Sequence, residues 1–216
     1  MTPTANSARS TDDQPATAAE KPVNVLMSGV GGQGVLVASE VLAMTALSEG
    51  LEAKQSEVHG VAQRGGSVVS HVRFGPRVHS PLIRCGEVDV LYAAERLEAL
   101  RYAHYVKPGG IFVMDERAIR PIQIPGETEQ AYPEQVPEFL RSRGHTVISV
   151  PALDMAIELG EKRCANVVLL GALSSRLSLK PNSWWKALET QLPKKILELN
   201  LRAFDSGRER ATRVTE

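Results

Sequence analysis

Apolar residues fall into short runs separated by polar or glycine-rich stretches, and the spacing inside each run differs. VNVLMSG at 23–29 is almost continuously apolar, the pattern of a buried strand. VLVASEVLAMTALSEG at 35–50 has helical spacing instead. Val35, Ala38, Leu42 and Ala46 share one face, Glu40 and Glu49 lie off it, and Gly50 stands where a helix ends. LEAKQSE at 51–57 predicts the next strand, so 23–57 predict a strand–helix–strand unit. From Ser67 to Phe74, Val68, Val72 and Phe74 alternate with Val69, His71 and Arg73, and Gly75-Pro76 turns the chain toward a returning strand at 78–83.

EVDVLYAA at 87–94 predicts another buried strand. The stretch 95–110 predicts a helix with Glu95 and Glu98 early, Lys107 late and Pro108-Gly109-Gly110 as its stop, an order of charge that complements the helix dipole. IFVMD at 111–115 and TVISVP at 146–151 predict strands, with a short helix near 134–143. The four landmarks Pro121, Pro125, Gly126 and Pro133 make 116–133 an excursion or loop. Beyond 151 the chain reads as helical, and ANVVLLGALSSRL at 165–177 is apolar nearly all round, so it is buried or pressed against a partner. The alternation predicts an α/β fold: a Rossmann-like, mostly parallel sheet flanked by helices, with an added β-hairpin at 68–83 and a helical C-terminal region.

The 216 residues suffice for one domain that buries roughly 70% of its unfolded surface. Lys plus Arg balance Asp plus Glu at 25 each, so no cationic excess points to nucleic acid or to a membrane surface. The cations of 194–213 are interrupted by Glu198, Asp205 and Glu209, as on a solvated helix face. No apolar run approaches the ~18 residues of a membrane span. Residues 1–22 lack an apolar centre and read as a disordered extension, with 23–207 as the domain and 208–216 as a C-terminal tail. A cytoplasmic chain is expected. Its two cysteines, Cys85 and Cys164, read as reduced thiols in or near the core, and they are too few for an iron–sulfur cluster, which usually takes four.

Candidate chemistry lies in two stretches. Gly29, Gly31 and Gly34 satisfy G-x-G-x-x-G between a predicted strand and helix, where backbone N–H groups face an anion. Three readings stay open: a dinucleotide site with Glu57 as its ribose acid, glycines that only let strand and helix meet closely, or a loop facing a ligand or a neighbouring subunit. The second stretch, HGVAQRGG at 59–66, sets Arg64 beside Gly65 and Gly66, a guanidinium fork next to free backbone that suits a carboxylate or phosphate; His59 and Gln63 add a titratable ring and an amide. Both stretches are expected at the carboxyl edge of the sheet. A polar turn that merely satisfies its own backbone remains the simpler alternative for His59 and Arg64. Trp184 and Trp185 read as packing anchors, His71 and His79 as surface residues, and Asn200 and Phe204 as structural or interfacial.

GVGGQGVLVASEVLA, SEVHGVAQRGGSVVSHVRFG, SPLI at 80–83, CANVVLLGALS at 164–174 and NLRAFDSG at 200–207 resemble, in order, the gamma-type domain of the 2-oxoacid:ferredoxin oxidoreductases. The His59-Gly60-Val61-Ala62-Gln63 form before Arg64-Gly65-Gly66 is similar to the indolepyruvate branch; other branches tend to a Tyr-Gly-Pro-Glu-type stretch there. The resemblance implies a small subunit that is inactive alone. A large alpha subunit would carry thiamine diphosphate, Mg²⁺ and iron–sulfur clusters, coenzyme A would be co-substrate, and ferredoxin would take the electrons. It further implies that Gly29, Gly31, Gly32 and Gly34 form a tight loop at the subunit junction and that Gln33 projects from the helix start. Arg64, Gly65 and Gly66 would face the partner's cofactor, the substrate carboxylate or coenzyme A; His59 and Gln63 would assist, and no metal would be held. A non-catalytic Rossmann-like nucleotide-binding or assembly protein is the competing reading.

Overall fold

The computed structural model describes residues 21–59, 66–120 and 132–213. Among them the chain runs β1 (Val23–Val30), α1 (Val35–Ser48), β2 (Glu52–His59), β3 (Ser67–Gly75), β4 (Val88–Ala93), α2 (Arg96–Arg101), β5 (Val106–Asp115), α3 (Val136–Ser142), β6 (Thr146–Val150), α4 (Ala152–Glu158), α5 (Ala165–Ser174), α6 (Pro181–Gln191) and α7 (Lys194–Arg213). The strands form one sheet in the order β2-β3-β1-β4-β5-β6. β1, β4, β5 and β6 are parallel neighbours, while β3 is antiparallel to both β1 and β2. Residues 1–20, expected as part of the extension, lie outside the described residues.

β1 is apolar on both faces because the sheet is covered twice. Val25 and Met27 join the larger core under α1, α5, α6 and α7. Leu26 joins a smaller core with Phe112 and Met114, closed by Ala99 of α2 and Leu140 of α3. The helical stripe expected on 35–46 is buried as spaced: Val35, Ala38, Leu42 and Ala46 are all inside. On α7, Asn200, Ala203, Phe204, Gly207 and Ala211 turn inward at intervals of one helical turn, leaving the charged face in solvent. Trp184 is fully buried, whereas Trp185 is partly exposed and donates its Nε1–H to Asp205 at 3.1 Å.

Five local expectations are corrected. The strand–helix–strand unit is split, because β3 inserts between β1 and β2. The hairpin is therefore β2–β3, and 78–83 forms no strand. Both edges of β3 are already paired, and side chains take the polar groups of 78–83 instead: Arg73 Nη1 donates to the carbonyls of Ser80 and Leu82, and Ile83 N donates to His71 Nδ1 at 3.2 Å. His71 is thus buried rather than on the surface. The helix expected over 95–110 ends at Arg101, and after one 3-10 turn β5 begins at Val106. Lys107 sits on that strand and pairs with Asp89 at 2.5 Å, away from any helix end. Cys85 is exposed; only Cys164 is buried.

Candidate functional site

β1 ends at the carboxyl edge of the parallel strands, and the glycine turn that follows is fixed from three sides. Gly31 N donates to Gly66 O at 2.8 Å, joining the turn to the start of β3. Gln33 does not project. Its side chain folds back, Oε1 accepting from Val30 N at 2.6 Å and Nε2 donating to Ala94 O at 2.8 Å, so the amide bridges the ends of β1 and β4. Gly29 lies beneath that amide: a Cβ there would stand 2.7 Å from Val35 Cγ2 and 3.0 Å from Ala94 Cβ. Gly34 caps α1 in the left-handed region at φ 74°, and Asn166 Nδ2 donates to its carbonyl at 3.2 Å. Tyr92 OH in turn donates to Asn166 O at 3.2 Å, so β4 and the first turn of α5 hold the turn from below.

Beside the turn a cleft of ≈ 620 Å³ opens between the strand ends, α1, α5 and α7. Asp115, the last residue of β5, lies buried at its wall; Oδ1 accepts from Arg117 N at 3.3 Å and Ala152 N at 3.1 Å, and Oδ2 lies 3.5 Å from Arg117 Nη2. Burial pushes its carboxyl up to about 6, against the pull of the Arg117 guanidinium and the backbone donors. Arg117, Lys162 and Arg163 bring three cations to the wall. Arg163 is paired at 2.6 Å with Glu161, and its hydrogen bond holds that carboxyl down to about 2. Val37, Leu169, Leu192 and Ile196 supply an apolar side, and burial raises the pKa of the Cys164 thiol. Cations beside a helix start and an apolar wall suit an anionic ligand with an apolar arm.

Of the residues singled out in the sequence, Gly29, Gly31, Gly32, Gln33, Gly34 and Gly66 are brought together here. His59 ends β2 with its backbone opposite Val68. Gln63, Arg64 and Gly65 lie outside the described residues. Glu57 is on β2 at the far edge, separated from β1 by β3 and bonded to Gln55 at 2.9 Å, so it does not stand where a ribose acid would. Asp115, Arg117, Asn166 and Lys162 escaped sequence reasoning. Asp115 carried a usable signal, since it closes a strand at the carboxyl edge where ligands bind in open α/β sheets. Among the described residues no group of three or more His, Cys, Asp or Glu is gathered as metal ligands.

Residues 24–210 match the Pyruvate ferredoxin/flavodoxin oxidoreductase family. The chain belongs to this family. It is 35% identical over 192 residues to the indolepyruvate oxidoreductase subunit IorB of Pyrococcus horikoshii, covering 87% of this chain and 95% of that one. To the IorB subunit of Archaeoglobus fulgidus it is 38% identical over 189 residues, covering 86% and 93%. A 2-oxoglutarate:ferredoxin oxidoreductase from Magnetococcus marinus, solved with 2-oxoglutarate, coenzyme A and succinyl-CoA bound, superposes with a TM-score of 0.70 at 25% identity over 90% of this chain and 32% of that one. The gamma subunit of a keto/oxoacid ferredoxin oxidoreductase from Geobacter sulfurreducens has the same fold, with a TM-score of 0.67 at 24% identity over 88% and 99%. The family read from the sequence, the α/β fold and the oxidoreductase-subunit assignment are borne out. No helix among the described residues is long and apolar enough to cross a membrane.

Proposed function

We propose that this chain is the small subunit of a cytoplasmic complex that oxidatively decarboxylates indolepyruvate or a related arylpyruvate to its acyl-CoA and passes the electrons to ferredoxin. The observation that carries the reading is the match along 95% of a curated indolepyruvate oxidoreductase subunit at 35% identity. Thiamine diphosphate would supply the nucleophilic chemistry at the keto carbon, and it would be held with Mg²⁺ and the iron–sulfur clusters by a large partner subunit. The donor set of this chain agrees with that division. It has two thiols, one exposed and one buried, where a cluster usually needs four.

The chain's own residues complete the site. The glycine turn borders the cleft through Gly32 and Gly34, and Gln33 keeps it fixed between the ends of β1 and β4. The cleft beside it is assigned to coenzyme A on its lining: Lys162 with the ion-paired Arg117 and Arg163 for phosphate, the apolar wall for the pantetheine arm. Arg64 with Gly65 and Gly66 is assigned the role of binding the substrate carboxylate or the partner's cofactor, and His59 and Gln63 of the same stretch are assigned to assist.

Anaerobic purification of the complex, followed by turnover of indolepyruvate with coenzyme A and a one-electron acceptor, tests this. A brown complex whose turnover falls at least ~10-fold on Arg64→Ala supports it. A colourless chain that purifies alone and binds NAD would replace it with the nucleotide-binding reading, and undiminished turnover in an intact Arg64→Ala complex would remove Arg64 from the site.

A further inference from the structure

The inward stripe of α7 has one polar member. Asn200, Ala203, Phe204, Gly207 and Ala211 are buried, and of these only Asn200, 5% exposed, carries a hydrogen-bonding side chain. It is also the member of the stripe that reaches the cleft, which it lines together with Ile196, one helical turn before it. An amide set in a wall with Val37, Leu169, Leu192 and Ile196 costs free energy unless its polar atoms are matched.

Half of that amide is matched. Nδ2 donates to Ile196 O at 2.8 Å. A carbonyl only accepts, so this bond fixes which way the amide faces and leaves Oδ1 on the other branch. Among the described residues Oδ1 accepts from no donor. It is not one of their enclosed unbonded atoms either, as Ser70 Oγ and Trp184 Nε1 are, so its open side is the cleft that Asn200 lines. The helix does not account for the residue. Asn200 lies well inside α7, which starts at Lys194, so it caps nothing. In a helix interior asparagine is a poorer helix former than leucine. Ile196 O is already the regular acceptor of Asn200 N, so the side-chain bond is a second bond to an occupied carbonyl.

We propose that Asn200 is a specificity-determining residue for coenzyme A, its Oδ1 accepting a hydrogen bond from an amide N–H of the pantetheine arm. This rests on the assignment of the cleft to coenzyme A given above. The arm is apolar at its methylene and methyl groups and polar at its secondary amides. A wall that is apolar apart from one acceptor matches that alternation. An apolar chain of the same length would leave Oδ1 desolvated and unpaired, which is how a buried acceptor rejects a ligand that lacks the donor. Lys162, Arg117 and Arg163 attract any phosphate, whereas the Asn200 oxygen distinguishes the arm that the phosphate carries.

The test uses the assembled complex, as wild type and with Asn200→Leu, Asn200→Ser or Lys162→Glu. Each is assayed with coenzyme A and with two analogues in which one or the other pantetheine amide is replaced by an ester, which deletes that N–H and keeps the thiol. KM for the thiol and KM for indolepyruvate are read separately. A neutral hydrogen bond is worth roughly 2- to 10-fold in an equilibrium constant. The wild type is expected to lose at least ~5-fold in kcat/KM with one of the analogues. Asn200→Leu and Asn200→Ser are expected to raise KM for coenzyme A by a similar factor and to stop discriminating against that analogue, with KM for indolepyruvate held. The hydroxyl of Asn200→Ser still bonds to Ile196 O, so this variant separates the ligand bond from the helix bond. Equal use of coenzyme A and both analogues by the wild type would overturn the proposal. So would intact discrimination in the Asn200 variants, and a raised KM for coenzyme A in Lys162→Glu would then leave the assignment of the cleft standing. Wild-type KM for coenzyme A in all three variants would remove that assignment and the proposal with it. If Asn200→Leu does not assemble, Asn200→Ser decides by the same readings. A loss shared by kcat and both KM values, with discrimination intact, marks a structural effect and also overturns it.

Discussion

Gly171 of α5 and Gly207 of α7 stand against each other's helix backbones. A Cβ on Gly171 would lie 1.9 Å from Phe204 O, and one on Gly207 would lie 1.8 Å from Val168 O. Glycine inside a helix costs roughly 0.5–1 kcal/mol relative to alanine, so two of them at one crossing reflect a packing requirement. The crossing seats Phe204 against Trp184, ring centroids 5.7 Å apart, and carries α7 over the helix whose first residues line the cleft.

Gly207→Ala is therefore expected to force α7 away from α5 and open space around Phe204. A loss of ~3 kcal/mol or more follows, at the upper end of overpacking effects because the obstacle is backbone rather than a flexible side chain. The guanidinium unfolding midpoint of the full chain measures it. An unchanged midpoint would mean that the two helices do not approach this closely.

Gln33 bridges the ends of β1 and β4 through one acceptor and one donor. Gln33→Glu keeps the acceptor for Val30 N but sets a carboxylate oxygen where an N–H faces Ala94 O at 2.8 Å. The repulsion is expected to cost ~1–3 kcal/mol at pH 7.5. Protonation restores a donor, so the melting temperature of this variant should recover as pH falls toward 5, which thermal unfolding at both pH values checks. Equal losses at the two pH values would show that the donor side of the bridge is dispensable.

Local chemistry made part of this site legible. The helical stripe of 35–46 and the glycine spacing of 29–34 depend on neighbouring residues, and both stand as read. Strand order does not have that property. The insertion of β3 between β1 and β2 turned a regular strand–helix–strand unit into a split one, and it buried His71, which had read as a surface residue. The rest of the cleft was hidden for a similar reason. Asn166 reaches Gly34 across 132 positions, and Asp115 meets Ala152 across 37. Nothing in the spacing of either residue signals a partner so far along the chain. The 3-10 turn after α2 was also missed, because Pro108-Gly109-Gly110 reads equally as a helix stop or as a bend within a strand.

Asp115 gives a pH dependence of defined sign. The residue is 3% exposed, and burial raises its carboxyl to about 6 from the ordinary 3.8, opposed by Arg117 and by the backbone donors of Arg117, Ala152 and Leu153. The folded chain therefore binds this proton more tightly than the unfolded chain. The stabilisation is fully present below about pH 3.8 and is lost as pH rises through about 6. At ~1.36 kcal/mol per pH unit the full effect has an upper bound of ~3 kcal/mol. Asp115→Asn removes the titration while its amide oxygen still accepts from Arg117 N and Ala152 N. His71 works in the opposite direction. Burial lowers its pKa and its neutral Nδ1 accepts from Ile83 N, so its contribution is lost on acidification. That contribution is common to both proteins and cancels in their difference. The unfolding free energy of the wild type minus that of Asp115→Asn is thus expected to fall by ~1–3 kcal/mol between pH 4 and 7 and to be level above it, measured by urea unfolding across that range. A difference that rises over the same interval would place the carboxyl below its ordinary value, with the Arg117 ion pair outweighing burial.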